Sequence, residues 1–272
     1  MTLVQFRSEF VILSFVVLTL PHVLTGQQPV TAAVANHARY NTEQVVDNLI
    51  EMNRHRSEAL RSYESHRTYR VEYHGLGGGR NAEMTVKLNY SSPHSKEFTI
   101  ESTSGSKLLI DKVLKKLLEA EREALDEDAQ RRSALSRDNY DFKLVGLEST
   151  PGGSMYVLTV EPKKREKFLY RGRIWVDARD FAVTRLEAEP AKNPSFWTKK
   201  SDIEQEYRKV NEFWLPERNH SVSSIRLGGH AELTIEYKDY QITGAVPVAK
   251  LMQKGSAASA SSGNSQHSGN NR

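Results

Sequence analysis

The strongest constraint on this chain is a long succession of period-two segments separated by turns of hairpin length. In the first, Tyr69, Val71 and Tyr73 alternate with Arg70, Glu72 and His74. After the turn Gly75-Leu76-Gly77-Gly78-Gly79, Met84, Val86, Leu88 and Tyr90 alternate with Thr85, Lys87 and Asn89. Ser91-Ser92-Pro93 turns the chain again, and Phe98 and Ile100 carry the pattern on. Later segments cover residues 140–148, 155–162, 168–177, 182–188, 201–210, 212–216, 221–227 and 231–241. Successive side chains of a strand point to opposite faces, so each segment has one oily and one polar side. The turns are too short for crossover helices. About ten such strands in a row make one antiparallel sheet, strongly curved or partly closed.

Two segments break this rhythm with helical spacing. Asn41 can cap a helix, with Gln44 placed to return the bond. Val45, Val46, Leu49, Ile50 and Met52 then form its apolar side, Arg54, Arg56 and Glu58 face water, and the helix fades near Leu60. The second helix is expected over residues 107–132, with a stripe of Ile110, Val113, Leu114, Leu117, Leu118 and Leu125. Its other face is highly charged, and Glu127–Arg131 and Asp128–Arg132 have the favourable four-residue spacing. The fold class is thus α+β, mainly antiparallel β, with an N-terminal helix and a mid-chain charged helix. Both helices can only pack on the concave face of the sheet or close its ends.

The ends of the chain do not read as fold. Residues 1–26 have the order of a secretory signal: Arg7, an apolar run from Phe10 to Leu20, Pro21, and a cut after Gly26. The run falls short of the ~20 residues that span a bilayer. Export of a soluble mature chain follows as the expectation. Residues 27–39 read as a linker and residues 40–247 as the folded body. Residues 248–272 read as a tail that has too little to bury to offset its ordering entropy.

Composition removes several chemistries. The 272 residues contain no cysteine, which excludes disulfides, thiol catalysis and Cys-ligated metals. A net charge of +4 is too small to argue for nucleic acid. The glycine-rich stretch from Gly75 to Gly79 lies between strands, whereas a phosphate loop must open a helix. None of the nine histidines stands in a metal-binding motif; His66 and His74 share a strand without a carboxylate partner. No serine sits in a nucleophile elbow. The expectation is a non-enzymatic, monomeric protein with no cofactor and no metal.

The hairpin Gly172-Arg173-Ile174-Trp175-Val176-Asp177, continuing through Asp180-Phe181-Ala182-Val183-Thr184-Arg185-Leu186-Glu187, resembles one in the outer-membrane lipoprotein-sorting (Lol-type) superfamily. The stretches Ala191–Trp197 and Phe213-Trp214-Leu215-Pro216 resemble a periplasmic subgroup of it. Read on its own, the hairpin places Ile174 and Val176 on one face, Arg173 and Trp175 on the other, and Asp177 to Asp180 in the turn. The resemblance implies an unclosed β-barrel whose apolar concave side is lidded by helices and holds acyl chains.

Two sets of residues are candidates for such a site. Tyr69, Val71, Met84, Val86, Phe98, Tyr156, Leu158, Ile174, Val176, Tyr207, Leu233, Ile235 and Tyr237 form either a plain core or the lining of a cavity. Lys163, Lys164, Arg165, Lys167, Arg171 and Arg173, interleaved with Phe168 and Tyr170, are the densest basic run, readable as a solvated hairpin, a nucleic-acid patch or, through Lys163, Lys164, Arg165 and Lys167, a contact for anionic lipid headgroups. The expected partner is a lipid or a lipoprotein acyl chain, with peripheral membrane contact and no nucleic acid. The rival expectation is an envelope protein-interaction or sensor module with a filled interior. A secreted hydrolase would need a clustered acid–base pair in the hollow.

Overall fold

The computed structural model describes residues 40–75, 78–93, 95–166, 168–192, 198–226 and 228–253. The expected signal, the linker and the tail from residue 254 onward lie outside them.

The first helix, α1 (Thr42–Ala59), begins as its sequence dictates. The Gln44 N–H donates to Asn41 Oδ1 at 2.9 Å, and the Asn41 N–H donates to Gln44 Oε1 at 3.0 Å. Its Val45, Val46 and Leu49 are buried. The chain passes directly into a meander of β1 (Leu60–Gly75), β2 (Gly78–Ser91) and β3 (Ser95–Gly105). Pairing of β1 with β2 runs out to Gly75↔Gly78, so the glycine-rich stretch is a hairpin.

The segment expected as one helix over residues 107–132 is divided. It forms α2 (Lys107–Leu109), a π turn (Ile110–Leu114), α3 (Lys115–Glu123) and α4 (Glu127–Ser133). The division has a local cause: Asp126 accepts the Ala129 N–H at 3.0 Å and caps a new helix, while the Leu125 N–H turns back to the Arg122 carbonyl at 3.0 Å. Arg131 meets Asp128, three residues back.

The return meander is β4 (Tyr140–Thr150), β5 (Gly153–Pro162), β6 (Tyr170–Asp177), β7 (Val183–Pro190), β8 (Thr198–Val210), β9 (Phe213–Ile225) and β10 (His230–Ala245). The segments expected at 212–216 and 221–227 belong to the single strand β9. Pro216 does not interrupt it, because the register with β8 shifts between Glu206 and Tyr207, where Pro216 pairs. Beyond Pro247 the chain adds helical turns over residues 248–253, and Val248 is buried.

Among the described residues all strands join one ten-stranded sheet in the order β3-β2-β1-β10-β9-β8-β7-β6-β5-β4. Every pairing is antiparallel, and β10 meets β1 from Leu60↔Ala245 to His74↔His230. Strands that neighbour in sequence neighbour in space, so the sheet would be a closed up-and-down barrel but for one break, between β3 and β4. The helical segment α2–α4 connects these two edges. The fold is an unclosed half-barrel, with helices on its concave face in place of the missing pairing.

Candidate ligand site on the concave face

The inward positions of the strands carry the apolar residues, and two helices cover them in separate halves. The segment from α2 through α3 inserts Leu109, Ile110, Val113, Leu114, Leu117 and Leu118 against β1, β2 and β10. Helix α1 packs Val45, Val46 and Leu49 against the sheet from β5 to β8. A third cluster around Tyr63, Tyr90 and Phe213 closes the end at which α1 joins β1.

The thirteen candidate lining residues divide between these halves. Tyr69, Val71, Met84, Val86, Leu233, Ile235 and Tyr237 lie under α2–α3, with Phe98 partly buried at the margin. Tyr156, Leu158, Ile174, Val176 and Tyr207 lie under α1. In that second half burial pushes the Tyr140 and Tyr170 phenols far up, so both stay neutral. The Tyr170 N–H donates to the Tyr140 hydroxyl at 3.3 Å.

The β6–β7 hairpin fixes α1. Ile174 and Val176 point inward, and Trp175 faces outward between the guanidinium groups of Arg173 and Arg185, 5.3 and 5.0 Å from its ring centre. In the turn, Asp177 Oδ1 accepts the Arg179 and Asp180 N–H groups at 2.9 and 2.8 Å. Arg56, expected to face water, is buried and reaches this turn from the last part of α1. It donates to the Asp180 carbonyl at 2.7 Å and the Phe181 carbonyl at 2.8 Å. Burial pulls the Arg56 pKa down to about 10, against the opposing pull of Asp180 and Asp177.

A polar centre lies within the other half, and its charged members are outside the expected site residues. Arg67, Lys96 and Glu121 are 1%, 9% and 4% exposed. Arg67 Nη1 donates to Glu121 Oε2 at 2.8 Å, Lys96 Nζ to the same oxygen at 3.2 Å, and the Tyr69 hydroxyl to Oε1 at 2.9 Å. The Arg67 guanidinium also lies 4.9 Å from the centre of the Tyr237 ring. The signal was present: Arg67 shares the parity of Tyr69, Val71 and Tyr73, and Glu121 continues the stripe of Leu114, Leu117 and Leu118.

Of the basic run, Lys163, Lys164 and Arg165 are exposed on the β5–β6 connection; Lys167 is outside the described residues. Lys163 Nζ donates to the Arg137 carbonyl at 2.7 Å, which ties this loop to the one before β4. A groove of about 900 Å³ crosses the opposite, outer side of the sheet. Its lining includes the charged residues Arg171, Arg173, Glu187 and Glu204 together with Val160, Ala188 and Ile203 of the α1 half. Among the described residues no three His, Asp or Glu converge as metal ligands, and no helix is long and apolar enough to cross a membrane.

No family model matches the chain, and no curated protein matches it. Similar solved structures do exist. One is a DUF1329 family protein from Desulfovibrio piger, at 13% identity and TM-score 0.40, over 79% of this chain and 98% of that one. A second is a LolA superfamily protein from Nitrosomonas europaea, at 10% identity and TM-score 0.34, over 76% of this chain and 96% of that one. A third is an outer membrane lipoprotein-sorting protein domain from Vibrio parahaemolyticus, at 11% identity and TM-score 0.35, over 79% and 100%. The chain is similar in fold to LolA superfamily proteins.

Proposed function

We propose that this is a non-enzymatic periplasmic protein that shelters a lipid or a lipoprotein acyl chain between the concave face of the sheet and its covering helices. One observation carries the reading. The barrel is left open between β3 and β4, and the gap is bridged by a tethered helical segment whose leucines lie on the apolar inward positions of β1, β2 and β10. A helix held at its two ends can be displaced, and an acyl chain can replace its leucines with equivalent apolar surface. The gross gain is ~0.8 kcal/mol per buried CH2 group, roughly 10 kcal/mol for a long chain before the costs of association. Such contacts discriminate chain length poorly, so specificity for length is expected to be low.

In this reading Tyr69, Val71, Met84, Val86, Phe98, Leu233, Ile235 and Tyr237 line the ligand site once α2–α3 moves, Tyr156, Leu158, Ile174, Val176 and Tyr207 extend it where α1 also moves, and Lys163, Lys164, Arg165 and Lys167 meet anionic headgroups as the protein touches a membrane. Residues 1–26 direct export. A second reading is favoured by the burial of nearly all thirteen residues with the helices in place. In it the interior stays filled and the protein is an envelope interaction or sensor module.

Native mass spectrometry and lipid extraction of protein purified from its own envelope separate the two. Lipid at near one-to-one, or saturable uptake of a fluorescent fatty acid, supports the carrier. Lipid-free protein that also takes up no fatty acid favours the interaction module.

A further inference from the structure

A carboxylate at a buried stripe position of a helix is costly unless its target is built to receive it. Here the target belongs to the sheet. Arg67 and Tyr69 come from β1 and Lys96 from β3, all directed to the concave side, and they converge on the Glu121 carboxylate of α3. Ser65 lies one inward position before Arg67 on β1, opposite Leu88, while Lys96 pairs with Tyr90. Its hydroxyl is buried and has no hydrogen-bond partner among the described residues. The sheet therefore holds two cations and a phenol at one place on its apolar wall, with an unused hydroxyl one inward position along β1. From Arg67 the inward face of β1 continues through Tyr69 and Val71 to Tyr73, ~20 Å at ~3.3 Å per residue.

From this arrangement we infer that Arg67, Lys96, Tyr69 and Ser65 form a receptor for the anionic head group of a single-chain amphiphile, a carboxylate or a phosphate ester. Glu121 occupies the receptor as an internal stand-in while α3 covers the wall. A ligand enters as α3 leaves: its head group replaces the Glu121 carboxylate, and its tail replaces Leu114, Leu117 and Leu118 along β1. The inference rests on the carrier reading above and adds to it the class of ligand. Both occupants are anionic, so the buried cations are never left without a counter-charge.

The test compares dodecanoate, dodecyl phosphate and dodecanol, each below its solubility limit, by isothermal titration of the full chain. These probes share a tail and differ in the head. At least one anionic probe is expected to bind tenfold or more tightly than dodecanol, and the better of the two identifies the head group. Glu121→Gln, which loosens the seat of α3 that every probe must displace, is expected to tighten all three probes several-fold and to leave the preference for an anionic head over dodecanol in place. The pair Arg67→Met and Lys96→Met is expected to level the three probes. Equal affinity of the wild-type protein for all three overturns the head-group receptor and leaves the carrier reading standing. Binding of none overturns both. The wild-type comparison decides the matter even where a variant does not fold.

Discussion

Arg56 Nη2 donates to the carbonyl of Phe181 at 2.8 Å, which bolts the end of α1 to the tip of the β6–β7 hairpin. The same guanidinium serves the Asp180 carbonyl and the Asn53 side chain. Phe181 sits at φ 46, a conformation that a bulky residue adopts only when its surroundings hold it there. Arg56→Ala strands two backbone acceptors and is expected to cost about 2–3 kcal/mol. Arg54→Ala, two positions away, removes the Arg54–Glu58 pair and a 3.3 Å contact with His55 Nε2, and is expected to change stability by less than ~1 kcal/mol. Urea midpoints of the two variants check the contrast; equal shifts would remove the bolt.

Asp180 makes the same turn sensitive to acid. Partial burial pushes its carboxyl up, but the Lys209 ammonium, the Trp214 indole N–H and Arg56 outweigh this and hold it below its ordinary value of 3.8. A carboxyl depressed in the folded state contributes stability that is present above its unfolded pKa and is lost as pH falls through its folded value. Wild-type stability is expected to drop from ~pH 4 downward, and Asp180→Asn to flatten that limb by under ~1 kcal/mol, since the group is partly exposed. Urea titrations at stepped pH measure it. An unchanged acid limb in the variant would contradict the assignment.

The sheet was legible because it rests on one short-range signal. Period-two alternation placed Ile174 and Val176 inward and Trp175 outward with no knowledge of neighbours. What escaped were positions where tertiary partners override the sorting of charges to water. Arg56 was assigned to solvent because nothing local tells that the Asp180 and Phe181 carbonyls, more than a hundred residues away, need a donor. Glu121 was passed over for the same reason, although its place on the leucine stripe marked it. The break at Asp126 was missed because helical spacing continues across it, while the cap that ends one helix and starts the next is a single side chain.

Gly105 sets the junction of β3 with the covering helices. Its φ is +86, and an added Cβ would stand 2.4 Å from the Asn81 carbonyl oxygen. Gly105→Ala is therefore expected to destabilise the protein by about 1–3 kcal/mol. Gly146, at the irregularity in β4, has nothing within 4 Å of the same position. Gly146→Ala is expected to be neutral or to stabilise by up to ~1 kcal/mol through the unfolded chain. Thermal unfolding of the two variants side by side tests whether backbone approach, and not glycine content, governs this junction.

The Glu121 centre makes a sharper demand on thermodynamics. Glu121→Ala leaves Arg67 and Lys96 buried without the carboxylate they share, and breaking a buried pair from one side costs about 3–5 kcal/mol. Removing every member is different, because the desolvation cost of the charges goes with them. Arg67→Met, Lys96→Met and Glu121→Leu together are expected to restore most of that loss, and to match or exceed the wild-type urea midpoint. A triple variant as unstable as Glu121→Ala would mean that α3 is held by these charges more than by Leu114, Leu117 and Leu118. The stable triple variant would instead show that the leucines suffice to seat the helix. The ions would then be a feature the fold carries at some expense to its stability, as expected of a group kept for recognition.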